Sequence, residues 1–307
     1  MVVNIVIIPT QGFCNRIRAM SSAFVLSKYL KSKCYVIWSK ELGCNCDWNT
    51  IFLNDFESIN LNDVKKTKYF FNPNIHTNEV LTNLSNLNDI EYLVIQGGHE
   101  FKHPNQSLAS FINEKSKFYK SLNFSQAIVD KVKTVFKNNF DNQSPVGVHF
   151  RDFIETHDKA DAYDFTKVST PEAFIHIINS LLKSHPNTKI FLSTNSDRIL
   201  KIIKHSIKNY DRQIITLDNN NKSRESNDGI VDAVVDLLLL SKCKYIIGTV
   251  SSSFSDEACF FNKISQLCIG NQDIDKYHCF GFDTVFGYKM LLPNFNILCD
   301  IYKEEEQ

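Results

Sequence analysis

An imidazole and a guanidinium stand two residues apart at the end of a short apolar segment. His149 and Arg151 close the run Pro-Val-Gly-Val-His-Phe-Arg-Asp at 145–152. Its apolar residues lie on both sides of Gly147, as in a strand covered on both faces, and open α/β sheets bind ligands where such strands end. Arginine offers a fixed fork of donors to a phosphate or carboxylate and stays charged. The segment fits an anion site and, equally, an ion pair with a neighbouring carboxylate.

A second set of donors lies in the loop Thr-Gln-Gly-Phe-Cys-Asn-Arg at 10–16. Gly12 allows a ligand to approach the backbone, and the helix that follows presents free N–H groups. Asn15 and Arg16 would add side-chain donors to an anion there. The second and third glycines of a dinucleotide fingerprint are missing. The alternative is that Asn15 caps the helix.

A third set of donors is the serine run 251–253, between a strand ending at Gly248 and a helix. The hydroxyl groups of Ser252 and Ser253 and the helix N–H groups would converge where a diphosphate could bind. The Phe254 ring would then pack against a base or ribose. The alternative is a capping box from Ser253 to Asp256, with Phe254 in the core.

Asp236 lies within an apolar helical stripe, where an unpaired carboxylate is costly. Guanine offers a suitable partner, because its N1–H and exocyclic amine are adjacent donors that one carboxylate accepts together. The alternative is a capped or salt-bridged aspartate that faces solvent.

Alternating strands and helices position these segments, which predicts an α/β fold with parallel sheets. The predicted strands are 3–8, 34–38, 91–96, 146–150, 189–193, 213–217, 245–248 and 265–269. The predicted helices are 15–31, 171–183, 197–207, 229–242 and 255–262, with helical stretches in 107–139 and long connections over 54–90. Two doubly wound units with a seam near residue 142 would enclose a cleft.

The composition excludes several functional classes. The chain of 307 residues carries 34 basic and 34 acidic side chains, so no global field attracts nucleic acid or an anionic membrane. The nine cysteines indicate a reducing compartment, and the spacing of Cys44 and Cys46 does not suit a structural metal. The amino terminus lacks the basic region of a signal peptide, and the apolar stretch 230–240 is too short to span a membrane. We therefore expect a cytoplasmic protein.

Four segments, taken in this order, resemble the GDP-fucose-dependent fucosyltransferases. The likeness is to the α1,2/α1,6 and protein O-fucosyltransferase superfamily, in bacterial-type or viral members. Residues 12–16 are similar to its Gly-x-Gly-Asn-Arg/Gln loop, 146–151 to its His-x-Arg motif and 191–197 to its Phe-Leu-Ala-Thr-Asp-Asp segment. Residues 235–254 resemble its most specific block. Cys14 replaces a glycine of that pattern, and Asp152 stands where many members have a second arginine.

This resemblance implies a GT-B-like fold of two Rossmann-like domains facing a cleft, an acceptor-side domain at 1–142 and a donor-binding domain at 143–307. It also implies that different residues bind different parts of GDP-fucose. Arg151 would bind the β-phosphate, Asn15 would face the cleft near the transferred sugar, and Gly12 would let the donor approach the backbone. The guanine side would be bound by His149 and Asp236, and the diphosphate and nucleoside by Ser252, Ser253 and Phe254.

The implied reaction is an inverting, metal-independent transfer of L-fucose from GDP-fucose to a hydroxyl of a glycan or protein, without a cofactor. Arg151 would stabilise the departing GDP, as a metal ion does in other glycosyltransferases. Glu155, Asp152 and Asp158 are the candidate bases, and Asp273-Ile-Asp275 is interpreted as a solvated turn. The expected partners are a nucleotide sugar and an acceptor. Two alternatives remain open: a transferase for another GDP-sugar and a catalytically silent nucleotide-sugar binding protein.

Overall fold

Parallel strands form two sheets in the computed structural model, which describes residues 3–41, 43–63, 67–71, 90–140, 143–152, 169–217, 223–250, 252–269 and 288–291. The chain divides into two compact units, one of Met1–Asp130 with Asn221–Val235 and the other of Lys131–Asn220 with Asp236–Gln307. The mixed α/β class predicted from the sequence is confirmed. The acceptor and donor roles of 1–142 and 143–307 stay predictions.

The first sheet has the order β2-β1-β4-β3, with every pair parallel. Its strands are β1 Asn4–Pro9, β2 Cys34–Val36, β3 Thr67–Phe71 and β4 Tyr92–Gly97. The two middle strands are β1 and β4, and Ile5 to Ile7 and Leu93 to Ile95 are buried in them. These β-branched and leucine side chains give a strand that can be covered on both faces.

The helices of this unit include α1 Phe13–Leu30, α2 Trp48–Ile51 and α3 Leu108–Ser121, and a 3₁₀ turn spans Leu61–Asp63. Helix α4 Gln126–Phe140 begins in the first unit and ends in the second. The prediction of long connections throughout 54–90 is wrong at Thr67–Phe71, because this segment pairs with β4 at the edge of the sheet. Pairing with a neighbour makes it a strand, and a polar flanking sequence does not reveal that.

The second sheet has the order β10-β9-β8-β5-β6-β7, again parallel throughout. Its strands are β5 Val146–Phe150, β6 Ile190–Thr194, β7 Ile214–Ile215, β8 Tyr245–Thr249, β9 Ser265–Ile269 and β10 Tyr288–Leu291. The chain runs outward from β5 through β6 to β7 and then returns to β8 on the other side of β5. The strand order therefore reverses between β5 and β8, which is the topological switch point of a Rossmann-type sheet.

Among the described residues of the second unit, the helices are α5 Pro171–Ser184, α6 Asp197–Ser206, α7 Tyr210–Gln213 and α9 Ser253–Asn262. Helix α8 Asn227–Leu240 begins in the first unit and ends in the second. Pro171 occupies the first turn of α5 as predicted, and the Thr170 hydroxyl accepts a hydrogen bond from the Ala173 N–H. Two strand predictions need correction. Strand β7 is shorter than 213–217 because α7 precedes it, and β10 lies beyond the segment that was expected to be the last strand.

The two faces of β5 have different surroundings. Val146, Val148 and Phe150 belong to the apolar cluster that includes side chains of α5 and α6. Because side chains alternate along a strand, Gly147 and His149 face the opposite side. A Cβ atom on Gly147 would lie 3.1 Å from both the Cys243 Sγ and a methyl group of Leu240, at the end of α8. His149 therefore emerges on the face covered by α8.

Candidate active site

Polar residues follow three neighbouring strands of the second sheet, β6, β5 and β8. The register pairs Phe150 with Thr194 and His149 with Gly248, so these strands end at the same edge. The backbone N–H of Arg151 donates to the Thr249 Oγ1 at 2.9 Å, which ties the residue after β5 to the end of β8. Arg151 thus lies at the switch point, where open α/β sheets bind ligands.

His149 is a buried imidazole at this edge, with 4% of its surface exposed. Its ring stacks on Phe254 at 4.9 Å between centroids and 28° between planes. Burial lowers the pKa of His149 to about 3, so the ring is neutral near pH 7. Its Nδ1 atom has no hydrogen-bond partner among the described residues. A buried polar atom without a partner is costly, which points to a polar group of a ligand at this position.

The neutral, buried state of His149 predicts a loss of stability in mild acid. The unfolded chain binds a proton near pH 6.5 and the folded chain only near pH 3, so the folded state takes up fewer protons between these values. The free energy of unfolding should therefore fall by up to about 1.4 kcal/mol for each pH unit below pH 6.5. Urea unfolding from pH 7.5 to 4.5 measures this slope, and His149→Gln should flatten it. His176→Gln, at an exposed position of α5, is the matched control, and an equal flattening there would contradict the assignment.

Asp236 lies on α8 beside the same face of the sheet. Its Oδ2 accepts a hydrogen bond of 2.8 Å from the Ser193 hydroxyl, and 8% of the residue is exposed. Ser193 is the register partner of His149 in the neighbouring strand. The interpretation of Asp236 as a solvent-facing aspartate is wrong, since its carboxylate turns toward β6. A hydrogen bond joins Asp236 to Ser193, the strand register places Ser193 beside His149, and a ring stack joins His149 to Phe254. We call these four residues the β5 polar group.

Asp152 ties the segment after β5 to the segment after β6. Its Oδ2 accepts from the Arg198 Nη2 at 2.8 Å, and 2% of Asp152 is exposed. The Asn195 side chain pairs with the Asp152 backbone in both directions, accepting from the N–H at 2.8 Å and donating to the carbonyl at 2.9 Å. These three bonds fix the backbone immediately after Arg151. They favour a positioning role for the Asp152 carboxylate.

The serine loop leads into α9, and its capping differs from the prediction. Ser252, which is buried, is the N-cap residue and makes no side-chain capping hydrogen bond. The predicted capping box from Ser253 to Asp256 is wrong, because both residues are within the helix and the Asp256 N–H donates to the Ser252 carbonyl. Ser253 and Phe254 are half-buried in the first turn. The first-turn N–H groups of a helix such as α9 can bind an anion.

In the first unit, the loop between β1 and α1 has a strained turn. Gln11 has φ 68°, a left-handed conformation that is uncommon for a residue with a side chain. Gly12 is the N-cap residue of α1 and makes no side-chain cap. Asn15 lies inside the first turn and donates to the Gln11 Oε1 at 2.6 Å, so the interpretation of Asn15 as the cap is wrong. The Asn15 amide instead stabilises the turn at Gln11.

Arg16 was expected to donate to a ligand, and this expectation is wrong. Its side chain is fully buried, with donors directed at the Gln11 carbonyl (Nε, 2.8 Å), the Ser39 carbonyl (Nη1, 2.6 Å) and the Glu41 Oε1 (Nη2, 2.9 Å). The guanidinium also lies 4.8 Å from the centre of the Trp38 ring. Arg16 is therefore a structural residue that fixes the loop of Gln11 and Gly12 against the residues after β2.

Substitution by alanine should have a large effect on stability at one glycine near this loop and almost none at another. A Cβ atom on Gly98 would lie 2.9 Å from the Thr10 carbonyl oxygen, the Gln11 Oε1 and the Asn15 Cβ, whereas the nearest atoms to one on Gly12 are 3.9 Å away. Gly98→Ala should therefore lower the free energy of unfolding by about 1–3 kcal/mol. Gly12→Ala, the matched control, should change it by less than about 0.5 kcal/mol. Urea unfolding compares the two variants, and equal stability would contradict the close approach at Gly98.

Several predicted residues cannot be placed. Glu155, Asp158, Ser251 and the Asp273-Ile-Asp275 segment lie outside the described residues. Within the described part of the chain, no group of three or more His, Cys, Asp or Glu side chains is arranged to bind a metal ion. None of the helices in those same ranges has the length and apolar character needed to cross a bilayer.

Solved structures with the same architecture were found, although no family model and no curated protein matches the sequence. One is the NodZ α-1,6-fucosyltransferase soaked with GDP-fucose, with a TM-score of 0.57, 15% identity and coverage of 84% of this chain and 92% of that one. NodZ from Bradyrhizobium is among the matches. A FUT1 mutant from Arabidopsis thaliana in complex with GDP has a TM-score of 0.57 and 12% identity, over 87% and 70% of the two chains. POFUT1 in complex with GDP has a TM-score of 0.54 and 11% identity, with coverage of 85% of this chain and 94% of that one.

The chain has the fold of the GDP-fucose fucosyltransferases. The resemblance predicted from four short motifs is thus confirmed at the level of the fold. Sequence identities of 11–15% show a common fold and do not by themselves assign an activity. In this fold His149 lies on β5 and the serine loop lies between β8 and α9, on the two sides of the switch point.

Sequence reasoning assigned no site role to Ser193, Asn195 or Arg198. The sequence contained part of the signal for a site, because Ser193 to Asn195 are polar and come after the apolar residues 190–192. Their contacts with Asp236 and Asp152 span more than 40 residues of sequence. A helical or strand period cannot show such contacts, so only the fold reveals them.

Proposed function

We propose that this protein is an inverting, metal-independent fucosyltransferase that moves L-fucose from GDP-fucose to a hydroxyl of a glycan or protein acceptor. The observation that carries the proposal is the β5 polar group at the switch point of a fucosyltransferase fold. It combines a neutral buried imidazole whose Nδ1 has no partner among the described residues with a stacked phenyl ring and a buried carboxylate. Solved neighbours were obtained with GDP or GDP-fucose, which supports a GDP-sugar as the ligand.

The donor would contact three kinds of groups in the second unit. Arg151 binds the β-phosphate with its fork of donors. Ser252 and Ser253 add hydroxyl groups, and the first-turn N–H groups of α9 favour negative charge beside them. The guanosine end is bound by His149, Phe254 and Asp236. A neutral imidazole suits this role because it hydrogen-bonds without adding charge.

The proposed chemistry is a single displacement at the anomeric carbon through an oxocarbenium-like state. The acceptor oxygen forms its bond to that carbon as the bond to the β-phosphate oxygen breaks. GDP leaves with the bonding electron pair, and the acceptor proton passes to a carboxylate base. Arg151 and the α9 N–H groups stabilise the charge that develops on GDP.

The contacts of Asp152 narrow the choice among the three candidate bases. Asp152 is buried and ion-paired with Arg198, which leaves it poorly suited to take a proton from an acceptor hydroxyl. We therefore assign the base to one of the other two candidates, Glu155 or Asp158, which both follow Arg151 closely in the sequence. In this proposal the acceptor binds to the amino-terminal part of the chain, within a GT-B-like arrangement.

Thermal stabilisation by nucleotides tests the donor assignment. A ligand at 100 times its dissociation constant should add about 2.7 kcal/mol to the free energy of unfolding. GDP should raise the melting temperature at concentrations where UDP and ADP do not, because only guanine presents adjacent donors to Asp236. A shift with UDP and none with GDP would overturn the proposal.

A further inference from the structure

Gln266 is a buried amide within an otherwise apolar part of the second sheet. It lies in β9, has no exposed surface, and is followed by the buried residues Leu267 to Ile269. Its Oε1 atom has no hydrogen-bond partner among the described residues. A buried amide with an unsatisfied oxygen costs free energy, and an apolar side chain of similar size would avoid this cost. The reason for glutamine at this position must therefore come from its amide nitrogen.

The amide nitrogen of Gln266 reaches the first turn of α9. It donates to the Ser255 Oγ at 3.0 Å and to the Cys268 Sγ at 3.0 Å. Ser255, like Gln266, has no exposed surface. A hydroxyl group has one proton, and the side of the oxygen that accepts from an amide cannot also carry it. The Ser255 proton is thus directed to the Ser252 carbonyl oxygen, which lies 3.3 Å from the Ser255 Oγ.

This hydrogen-bond chain from Gln266 through Ser255 ends at Ser252 and fixes its backbone. The Ser252 carbonyl accepts from the Ser255 hydroxyl and from the Asp256 N–H at 3.2 Å. The Ser252 hydroxyl makes no capping hydrogen bond, although serine is a favoured N-cap residue. The backbone of Ser252 is therefore held from within the protein, and its side chain is not used to cap α9. Because Gln266 and Ser255 are fully buried, they can affect a ligand only through the residues that they hold.

Gly248 provides the space for this hydrogen-bond chain. A Cβ atom on Gly248 would lie 2.7 Å from the Gln266 Nε2 and 2.9 Å from the Ser255 Oγ, which is too close for a carbon atom. The register pairs Gly248 with His149 in β5 and with Cys268 in β9. Side chains alternate along a strand, so Gln266 lies on the same face of the sheet as Cys268 and His149. The hydrogen-bond chain and the β5 polar group thus share one face of the sheet.

We propose that Gln266 is a positioning residue for the diphosphate of the donor. Through Ser255 it holds Ser252 where the Ser252 hydroxyl and the first-turn N–H groups of α9 meet the phosphate oxygens. This inference rests on the proposed function. A loss of the hydrogen-bond chain should affect the diphosphate more than the guanosine end, because Phe254 is also held by its stack on His149.

Calorimetric titration of the full chain with GDP and with guanosine tests the inference. Gln266→Met keeps an unbranched side chain of similar length and removes the amide. It should weaken GDP binding by about fivefold or more and guanosine binding by less than about twofold, with the melting temperature retained. Gln213→Met is the matched control and should bind GDP as the wild type does. The Gln213 amide also donates a hydrogen bond, to the Pro186 carbonyl, but it precedes β7 at the far edge of the sheet.

Ser255→Ala is an independent variant that removes the middle of the hydrogen-bond chain and leaves Gln266 in place. It should weaken GDP binding to a similar extent. Gln266→Met should then add little to the loss in Ser255→Ala, because residues that act through one contact are not additive. The Ser255→Ala result decides alone if Gln266→Met does not fold.

The outcomes separate this inference from the proposed function. Wild-type affinity for GDP in either folded variant, with affinity lost in Arg151→Ala, overturns the role of Gln266 and leaves the proposed function standing. Additive losses in the double variant also overturn it, as do losses of equal size for GDP and guanosine, because the effect would not pass through Ser255 to the diphosphate. A wild-type protein that binds UDP and no GDP overturns both.

Discussion

Arg151→Ala is expected to lower the turnover of GDP-fucose by on the order of 10²-fold, the largest effect predicted for a single side chain. Arg151 follows β5, where its backbone N–H donates to the Thr249 Oγ1 and the backbone N–H of the next residue donates to the Asn195 Oδ1. These bonds involve the backbone or the neighbouring residue, so alanine preserves them. The loss should therefore concern the stabilisation of the departing diphosphate rather than the local fold.

Release of GDP under saturating donor measures the Arg151 effect, and a melting curve checks that the variant is folded. Arg151→Lys should recover part of the rate, because it keeps the charge and loses the bidentate fork. Arg212→Ala, at an exposed position, should keep the wild-type rate. Wild-type turnover in a folded Arg151→Ala would remove Arg151 from the reaction.

Asp236→Asn is expected to abolish the preference for GDP over inosine diphosphate, which lacks the exocyclic amine of guanine. The wild type should favour GDP by about tenfold or more, since hydrogen bonds to a charged group contribute about 1.5–3 kcal/mol. Asparagine keeps the shape and still accepts from the Ser193 hydroxyl, but its amino group would meet a donor of the base. The binding of GDP should weaken to the level of inosine diphosphate.

Parallel titrations with the two nucleotides measure this preference. Ser193→Ala is the matched variant, because it removes the hydrogen bond to Asp236 and leaves the carboxylate. It should lower the affinity for both nucleotides and keep the ratio between them. An unchanged ratio in Asp236→Asn would show that Asp236 supports the fold rather than reading the base.

Much of the second sheet could be predicted from sequence, because its strands are apolar on both faces and its turns carry clear signals. Strand β5 at 146–150 and strand β9 at 265–269 begin and end where they were predicted. Helix α5 begins at Pro171 as predicted. Strand β3 was missed because it is an edge strand whose pairing with β4 outweighs its polar flanks.

The candidate site was predictable where it lies at the end of a strand, before a helix or as a lone carboxylate on an apolar helical stripe. The first two kinds of position gave His149, Arg151 and the serine loop, and the third gave Asp236. Long-range contacts decided the remaining roles. The sequence predicted that Arg16 donates to a ligand from the loop. In the fold it is a buried structural residue, because its guanidinium donates to Ser39 and Glu41.

The most direct test of the central claim is the release of nucleoside diphosphate from a panel of sugar donors by the full chain. The panel holds GDP-fucose, GDP-mannose and UDP-galactose, with and without a mixed glycan acceptor. We predict GDP release from GDP-fucose that rises with acceptor and is lost in Arg151→Ala. Release from UDP-galactose together with none from GDP-fucose would contradict the account.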